Sequence, residues 1–99
     1  MSYVRVVMAD AKTPENLAKI IEQLNKANEI FPEIQMMMAI ETSETTGLSI
    51  SVYQDKAAAI RGVKLRELHF EELGAELEVS FEGTLAAYYK KDPVIAGLS

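Results

Sequence analysis

The stretch IQMMMAIE, residues 34–41, places three methionines side by side within a short apolar segment. Read as a β-strand, it sends its residues alternately to two faces of a sheet. One of these faces is uniformly apolar and consists of Ile34, Met36, Met38 and Ile40. Met37 lies on the other face, and flexible methionine suits an irregular gap or the wall of a pocket. The pattern favours a strand covered on both sides, with a scattered, solvent-exposed Met37 as the alternative.

The segments around this strand are short and sharply bounded. The predicted elements are a strand at Ser2–Ala9, a helix from Pro14 to about Ile30, the strand Ile34–Glu41, a hairpin loop at Thr42–Gly47, a strand at Leu48–Gln54, a helix at Lys56–Leu73 and a strand at Ala75–Phe81. Thr13 and Asp55 are predicted helix caps, and Gly74 a helix end. Gly62 allows a break near Val63.

The order of these elements is β-α-β-β-α-β, which is the ferredoxin-like arrangement of the α+β class. It predicts an antiparallel sheet with both helices on one face. Residues 1–91 form one predicted domain, and residues 92–99 form a C-terminal tail. The segment Thr84–Lys91 either extends the last strand past Gly83 or adds a fifth strand.

Alternation divides the sheet into two faces of different character. The uniformly apolar face is predicted to lie under the helices: Val4, Val6, Met8, Ile34, Met36, Met38, Ile40, Leu48, Ile50, Val52, Leu77, Val79 and Phe81. The mixed face combines apolar area with small hydroxyls, acidic groups and an arginine: Tyr3, Arg5, Val7, Ala9, Gln35, Met37, Ala39, Glu41, Ser49, Ser51, Tyr53, Glu76, Glu78 and Ser80. We expect the sheet of a second identical subunit to cover this mixed face.

Composition excludes several classes of function. A net charge of −5 argues against nucleic acid and anionic membranes as partners. The chain has no cysteine, which excludes disulfides, zinc–thiolate sites and iron–sulfur clusters. No segment has the length and apolarity of a signal or membrane span, so we expect a cytoplasmic protein. Because no phosphate-binding, dinucleotide-binding or metal-binding motif occurs, no cofactor and no metal are predicted.

Several stretches carry a resemblance to a known group of proteins. They are YVRVVMADA running into TPENLAKIIEQL, GLSISVYQDKAAA, where a strand ends at Asp55 before an alanine-rich helix, and FEGTLAAYYKKD. In these stretches the chain resembles the dimeric α/β-barrel superfamily, and within it the antibiotic-biosynthesis-monooxygenase-like group. The resemblance covers most of the chain. It implies a homodimer whose two sheets pack into a barrel, with a cavity between sheet and helices or at the barrel mouth.

The same resemblance implies a choice of activities. Members of the group oxidise aromatic, polyketide-like substrates without metal or flavin, or degrade haem. Their catalytic members use an asparagine, a tryptophan and sometimes a histidine or arginine. This chain has no tryptophan, and Asn16, Asn25 and Asn28 all lie in the first helix region, so neither catalytic set carries over.

The candidate ligand-binding residues are Arg5, Met37, Ser51, Tyr53 and His69. Arg5 can bind a carboxylate or polarise a carbonyl, or it can form an ion pair with Glu41 or Glu78. Tyr53 can donate to a ligand oxygen, stack on a ring or anchor a dimer interface. Met37 and Ser51 share this face. His69 can act as a general base, but a position on the helix surface is favoured.

Three functions therefore stay open. The first is cofactor-independent oxidation of a small apolar or aromatic molecule in a barrel cavity. The second is binding of such a molecule without chemistry. The third is a purely structural dimer whose second sheet face is all interface.

Overall fold

The computed structural model describes residues 2–89 of the chain. Its elements are β1 (Tyr3–Asp10), α1 (Pro14–Leu24), α2 (Ala27–Ile30), β2 (Ile34–Glu41), β3 (Thr46–Tyr53), α3 (Lys56–Arg61), α4 (Val63–Glu72) and β4 (Glu76–Thr84). The pair α1 and α2 takes the place of the first predicted helix, and the pair α3 and α4 that of the second. The predicted order β-α-β-β-α-β is therefore confirmed.

The four strands form one sheet in the order β2-β3-β1-β4, and every neighbouring pair is antiparallel. The two strands joined by the short hairpin, β2 and β3, are neighbours, while β1 lies between β3 and β4. This is the ferredoxin-like sheet, with the helices on one side of it. None of the helices in residues 2–89 is long and apolar enough to cross a membrane.

The helix ends follow the capping residues in the sequence. The Thr13 side chain accepts a hydrogen bond from the Asn16 N–H at 3.1 Å, and Asp55 accepts one from the Ala58 N–H at 2.8 Å. Each bond satisfies a donor that a helix start leaves unpaired. The predicted length of the first helix was wrong, because α1 ends at Leu24 and the separate turn α2 follows.

Two glycines shape α4. Gly62 joins α3 to α4 at an ordinary φ of −85°, so the predicted break near Val63 is confirmed. Gly74 follows α4 at a φ of +68°. Its N–H bonds to the Glu71 carbonyl at 3.1 Å, and the next N–H, of Ala75, bonds to the Phe70 carbonyl at 3.0 Å. These two bonds are the Schellman ending, which places a left-handed residue just past the helix.

The two glycines should respond oppositely to alanine. Gly74→Ala is expected to lower the free energy of unfolding by about 1 kcal/mol, since only glycine adopts the left-handed region without a steric penalty. Gly62→Ala is expected to raise it by about 0.5–1 kcal/mol, because an added Cβ meets no atom closer than 3.7 Å. Urea unfolding of both variants tests this. Shifts of the same sign would contradict the backbone assignments.

The helices cover the mixed face of the sheet, so the predicted assignment of the faces was wrong. Val7 and Tyr53 of the mixed face are only 6% and 1% exposed. On the opposite face Met38 is 49% exposed and Phe81 is 66% exposed. On the open face, as we term this side, ten apolar side chains are at least partly exposed: Val4, Val6, Met8, Met36, Met38, Ile40, Leu48, Ile50, Val79 and Phe81. Val52 lies on the same face but is buried.

Residue size explains which face the helices cover. The mixed face carries Ala9, Ala39 and Ser49, and a Cβ added at Gly47 would lie 3.2 Å from the Leu17 side chain. Small strand residues let α1 approach closely and fill the space with its own large side chains, Leu17 and Ile20. The open face has large residues from the strands themselves, which leave no room for a closely packed helix.

Two irregularities in the strand pairing move single residues between faces. A shift between Ile34 and Met36 sets Ile34 opposite Tyr53 and against the helix-side core. A bulge beside Met8 and Ala9 pairs Leu77 with Ala9. Ile34 and Leu77 therefore lie on the helix side, and not with the apolar set in which alternation placed them.

The segment after Gly83 is partly described. β4 continues through Gly83 to Thr84. This agrees with the prediction that the last strand extends past Gly83. Residues 85–89 form no strand or helix, although the Leu85 N–H bonds to the Ser2 carbonyl at 2.9 Å. The remainder of the predicted Thr84–Lys91 segment and the predicted tail lie outside the described residues.

Candidate functional site

Helix α4 turns polar side chains inward. Arg66 and His69, three residues apart on one face, are both 8% exposed, whereas Leu65 and Leu68 are 40% and 55% exposed. An ordinary surface helix does the opposite and buries its leucines. Buried polar residues are retained where they bind something or hold a network together, so the space beneath α4 is the candidate site.

Arg66 packs against Tyr53 at the end of β3. Its guanidinium donates to the Tyr53 hydroxyl and, at 3.4 Å, to the Ala59 carbonyl. The guanidinium carbon also lies 5.5 Å from the centroid of the Tyr53 ring. Burial lowers the pKa of Arg66; contact with Tyr53 raises it, and the nearby Arg5 lowers it further. The guanidinium of Arg66 therefore lies in a buried environment that disfavours its positive charge.

Arg5 extends from β1 to the same side of the sheet. Its Nη1 lies 3.7 Å from Oε2 of Glu82, so neither predicted partner, Glu41 or Glu78, is its ion pair. The strand register is the physical reason, because the pairing of β1 with β4 sets Arg5 directly opposite Glu82. Glu82 also accepts from the Tyr3 hydroxyl at 2.9 Å. The Arg5 Nε is buried and has no hydrogen-bond partner within residues 2–89.

The two arginines line one small cavity, which we term the arginine pocket. Its volume is about 50 Å³, and it is lined by Arg5, Val7, Val63, Arg66, Glu67, Phe70 and Leu77. A water molecule takes up about 30 Å³ of liquid volume, so this space fits a small polar group and no ring.

A larger space, which we term the Tyr53 cleft, opens at the end of β3. Its volume is about 180 Å³, and it is lined by Phe31, Pro32, Glu33, Ile34, Tyr53, Arg61, Gly62 and Leu65. Glu33 and Arg61 form a two-bond ion pair at its edge, with N–O distances of 2.8 and 3.2 Å. The contact of Tyr53 with Arg66 thus lies between this cleft and the arginine pocket.

A third space, under α1, is apolar but has a volume of only about 20 Å³. It accommodates about one water molecule and is a packing gap. Two cavities that can receive a ligand group therefore lie on either side of the Tyr53–Arg66 contact.

Four of the five candidate residues from the sequence share this side of the sheet. Arg5, Ser51 and Met37 are paired residues on three adjacent strands and form one row across the sheet. The buried Ser51 hydroxyl donates to the Met37 sulfur at 3.6 Å, and Tyr53 lies two residues further along β3. Sequence reasoning missed Arg66. The sequence carries no clear signal for it, because α4 has no apolar stripe that shows which of its sides faces the sheet.

His69 is buried, so the favoured prediction of a helix-surface histidine was wrong. Its ring packs edge-on against Phe31, with centroids 5.3 Å apart, and against Phe70 at 6.0 Å. Phe31, which follows α2, packs against the His69 ring and helps to bury it. The periodicity of α4 alone does not reveal this contact, because Phe31 comes from another segment. His69 lines neither cavity, and its Nε2 has no hydrogen-bond partner within residues 2–89. That part of the chain also has no group of three metal-ligating side chains.

His69 should make stability depend on pH. Burial lowers its pKa below the ordinary 6.5, while Glu72 acts weakly in the opposite direction. The unfolded chain therefore binds the proton more readily, and the free energy of unfolding should fall as pH drops below about 6.5. Thermal unfolding between pH 7.5 and 5.5 measures this. His69→Leu should flatten the profile, and a slope unchanged in that variant would assign it to other groups.

Comparison with known proteins places this architecture. No family model and no curated protein matches the chain. SnoaB, a cofactor-independent oxygenase from Streptomyces nogalater, matches with a TM-score of 0.62 at 15% identity over 90% of this chain and 95% of its own. An antibiotic biosynthesis monooxygenase assigned in Bacteroides thetaiotaomicron gives 0.58 at 18% identity over 99% and 94%. The fold is that of the antibiotic-biosynthesis-monooxygenase-like proteins.

The monooxygenase-like fold is not tied to one activity. HapK from Hahella chejuensis also has it, with a TM-score of 0.65 at 12% identity over 92% of this chain and 99% of its own. A protein of unknown function from Nitrosomonas europaea matches as well. At such identities the likeness concerns the fold alone, and function has to be argued from the site.

The catalytic asparagine that the resemblance implies has no counterpart among the residues of 2–89 that line the Tyr53 cleft and the arginine pocket. The Asn16 side chain donates to the Ala11 carbonyl at 3.2 Å and to the Leu73 carbonyl at 3.3 Å. It ties the start of α1 to the end of α4. Its role is therefore to hold the two helices together, and it lies away from Tyr53 and Arg66.

Proposed function

We propose that the protein is a homodimer that binds a small apolar or aromatic molecule between the sheet and the helices of each subunit. Two features support this. The open face gives the surface for the second subunit, and the Tyr53 cleft gives space for the ligand. The volume and lining of that cleft are the single observation on which the binding function depends.

The open face supports a dimer because its ten partly exposed apolar side chains are continuous across four strands. Such a surface is larger than the scattered apolar residues that monomers tolerate. Within residues 2–89 the helices are already used on the other side of the sheet, so we propose that another chain covers the open face. A second copy meets this need with the same apolar surface, since a twofold interface pairs one patch with itself.

The Tyr53 cleft supports a ligand with a single ring. Its volume of about 180 Å³ exceeds the roughly 150 Å³ of an engineered apolar cavity that binds benzene. Phe31, Ile34 and Leu65 give apolar walls, and the Tyr53 ring gives a flat surface for stacking. Glu33 and Arg61 place polar atoms at the edge only.

Binding without chemistry is the form of the proposal that we favour. The polar groups around the cleft already have partners: Glu33 with Arg61, and Tyr53 with Arg66. The alternative is oxidation without a cofactor, which is supported by the shared fold with SnoaB. Consumption of oxygen on addition of a bound aromatic compound would favour the alternative, and its absence with every bound compound would favour binding.

The cleft can be tested with a neutral ring. Benzamide is expected to raise the melting temperature of the wild type, and Leu65→Trp, which fills the cleft, should abolish the rise. Leu68→Trp is the matched control, because it places the same indole on the outer side of the same helix. A response to benzamide that Leu65→Trp leaves intact would place the ligand elsewhere and refute the proposal.

A further inference from the structure

We infer that the arginine pocket binds the carboxylate of a small organic acid. This inference deepens the proposed function, because it gives the ligand of the same helix–sheet site a charge. It depends on that function only in assuming that a small molecule reaches the site. The observation behind it is the buried guanidinium of Arg66, which forms no ion pair within residues 2–89.

Arg66 forms no ion pair within residues 2–89, although Glu82 acts on its charge from a longer distance. Its partners there are a phenol and a backbone carbonyl, and no carboxylate lies within ion-pair distance of it. Buried arginines are rare unless they are paired, because removing the charge from water is costly. An anion that enters the pocket restores the missing partner.

Arg5 increases the positive charge of the pocket. It brings a second guanidinium, and the carboxylate near it, Glu82, is 3.7 Å away, 43% exposed and shared with the Tyr3 hydroxyl. Glu67 also lines the pocket, but it is exposed and forms no ion pair with either arginine. Arg66 is therefore the charged side chain of the cavity that no carboxylate pairs with closely within residues 2–89.

Size and hydrogen bonding point to a carboxylate. The volume of about 50 Å³ takes one planar group of that size. The Arg5 Nε is a buried donor without an acceptor, and a carboxylate oxygen is the strongest acceptor that it can meet. The second subunit of the proposed dimer cannot supply this group to Arg66, since it covers the opposite face of the sheet.

The test compares three probes with wild-type protein in low-chloride buffer at pH 7. Formate has the carboxylate alone, benzamide the ring alone, and benzoate both. We expect formate and benzoate to raise the melting temperature, benzoate to bind more tightly than benzamide, and added chloride to weaken only the two anions. The chloride series uses the native chain, so it does not depend on any variant folding.

Two substitutions test whether the carboxylate binds in the arginine pocket. Arg66→Gln and Arg5→Gln should each weaken benzoate binding by roughly ten- to a hundredfold, the usual contribution of a hydrogen bond to a charged group. Binding of benzamide should stay unchanged in Arg5→Gln, which leaves the contact between Tyr53 and Arg66 in place. Lys64→Gln is the matched control, because it removes one positive charge from an exposed position of α4. Its benzoate affinity should equal that of the wild type.

Each contrary result has a distinct meaning. Equal binding of benzoate and benzamide would overturn the carboxylate inference and leave the proposed cleft intact. Binding of formate and benzoate without benzamide would refute the ring cleft and support the arginine pocket. Equal losses in Lys64→Gln and Arg66→Gln would trace the effect to overall charge and overturn the inference.

Discussion

Met38→Asp is expected to convert the proposed dimer into a monomer. Met38 lies on the open face opposite Ile50 and is half exposed in the single chain, so the substitution leaves the fold of the subunit largely intact. In a face-to-face dimer it buries a carboxylate without a partner, at a cost of several kcal/mol. Twofold symmetry places the change in the interface twice. We expect the dissociation constant to rise at least about a thousandfold.

Native mass spectrometry and sedimentation at several concentrations measure this change. The matched control is Ile60→Asp, which puts the same charge on an isoleucine that is 60% exposed on α3, away from the open face. That variant should remain dimeric. If the wild type has the mass of one chain at all concentrations, the proposed dimer is wrong; a dimeric Met38→Asp would place the interface on another surface.

The order of the elements followed from local signals in the sequence. Thr13, Asp55 and Gly74 act through neighbouring backbone groups, and for this reason their positions fixed the helix ends. The exchange of the two faces had a different origin. Both faces of this sheet carry enough apolar side chains to be buried. Apolarity alone does not reveal whether a helix or another chain buries a given face. The small residues opposite α1 were the better guide.

The site was predictable only in part, because its residues come from distant segments. Strand alternation correctly grouped Arg5, Ser51 and Tyr53, since it depends on one strand at a time. Arg66 and His69 lie on a helix without an apolar stripe, so periodicity did not show which side faced the sheet. Strands and helices differ here: a strand has two possible sides, whereas a helix can turn any side inward.

The contact between Tyr53 and Arg66 should give the largest coupling energy in the subunit. Tyr53→Phe removes the hydroxyl that accepts from the buried guanidinium, which is expected to lower the free energy of unfolding by about 1–3 kcal/mol. Arg66→Met leaves that hydroxyl without its donor, but it also removes a buried charge. Its effect should therefore be smaller than that of Tyr53→Phe.

The double variant decides whether Arg66 serves stability or binding. With both polar groups replaced by apolar ones of similar size, Tyr53→Phe combined with Arg66→Met should be more stable than Tyr53→Phe alone, with a coupling of about 1–3 kcal/mol. Urea unfolding of the four proteins measures it. Losses that simply add would show that Arg66 stabilises the fold through other contacts. A stable double variant that no longer binds benzoate would show that the buried charge is kept for its ligand.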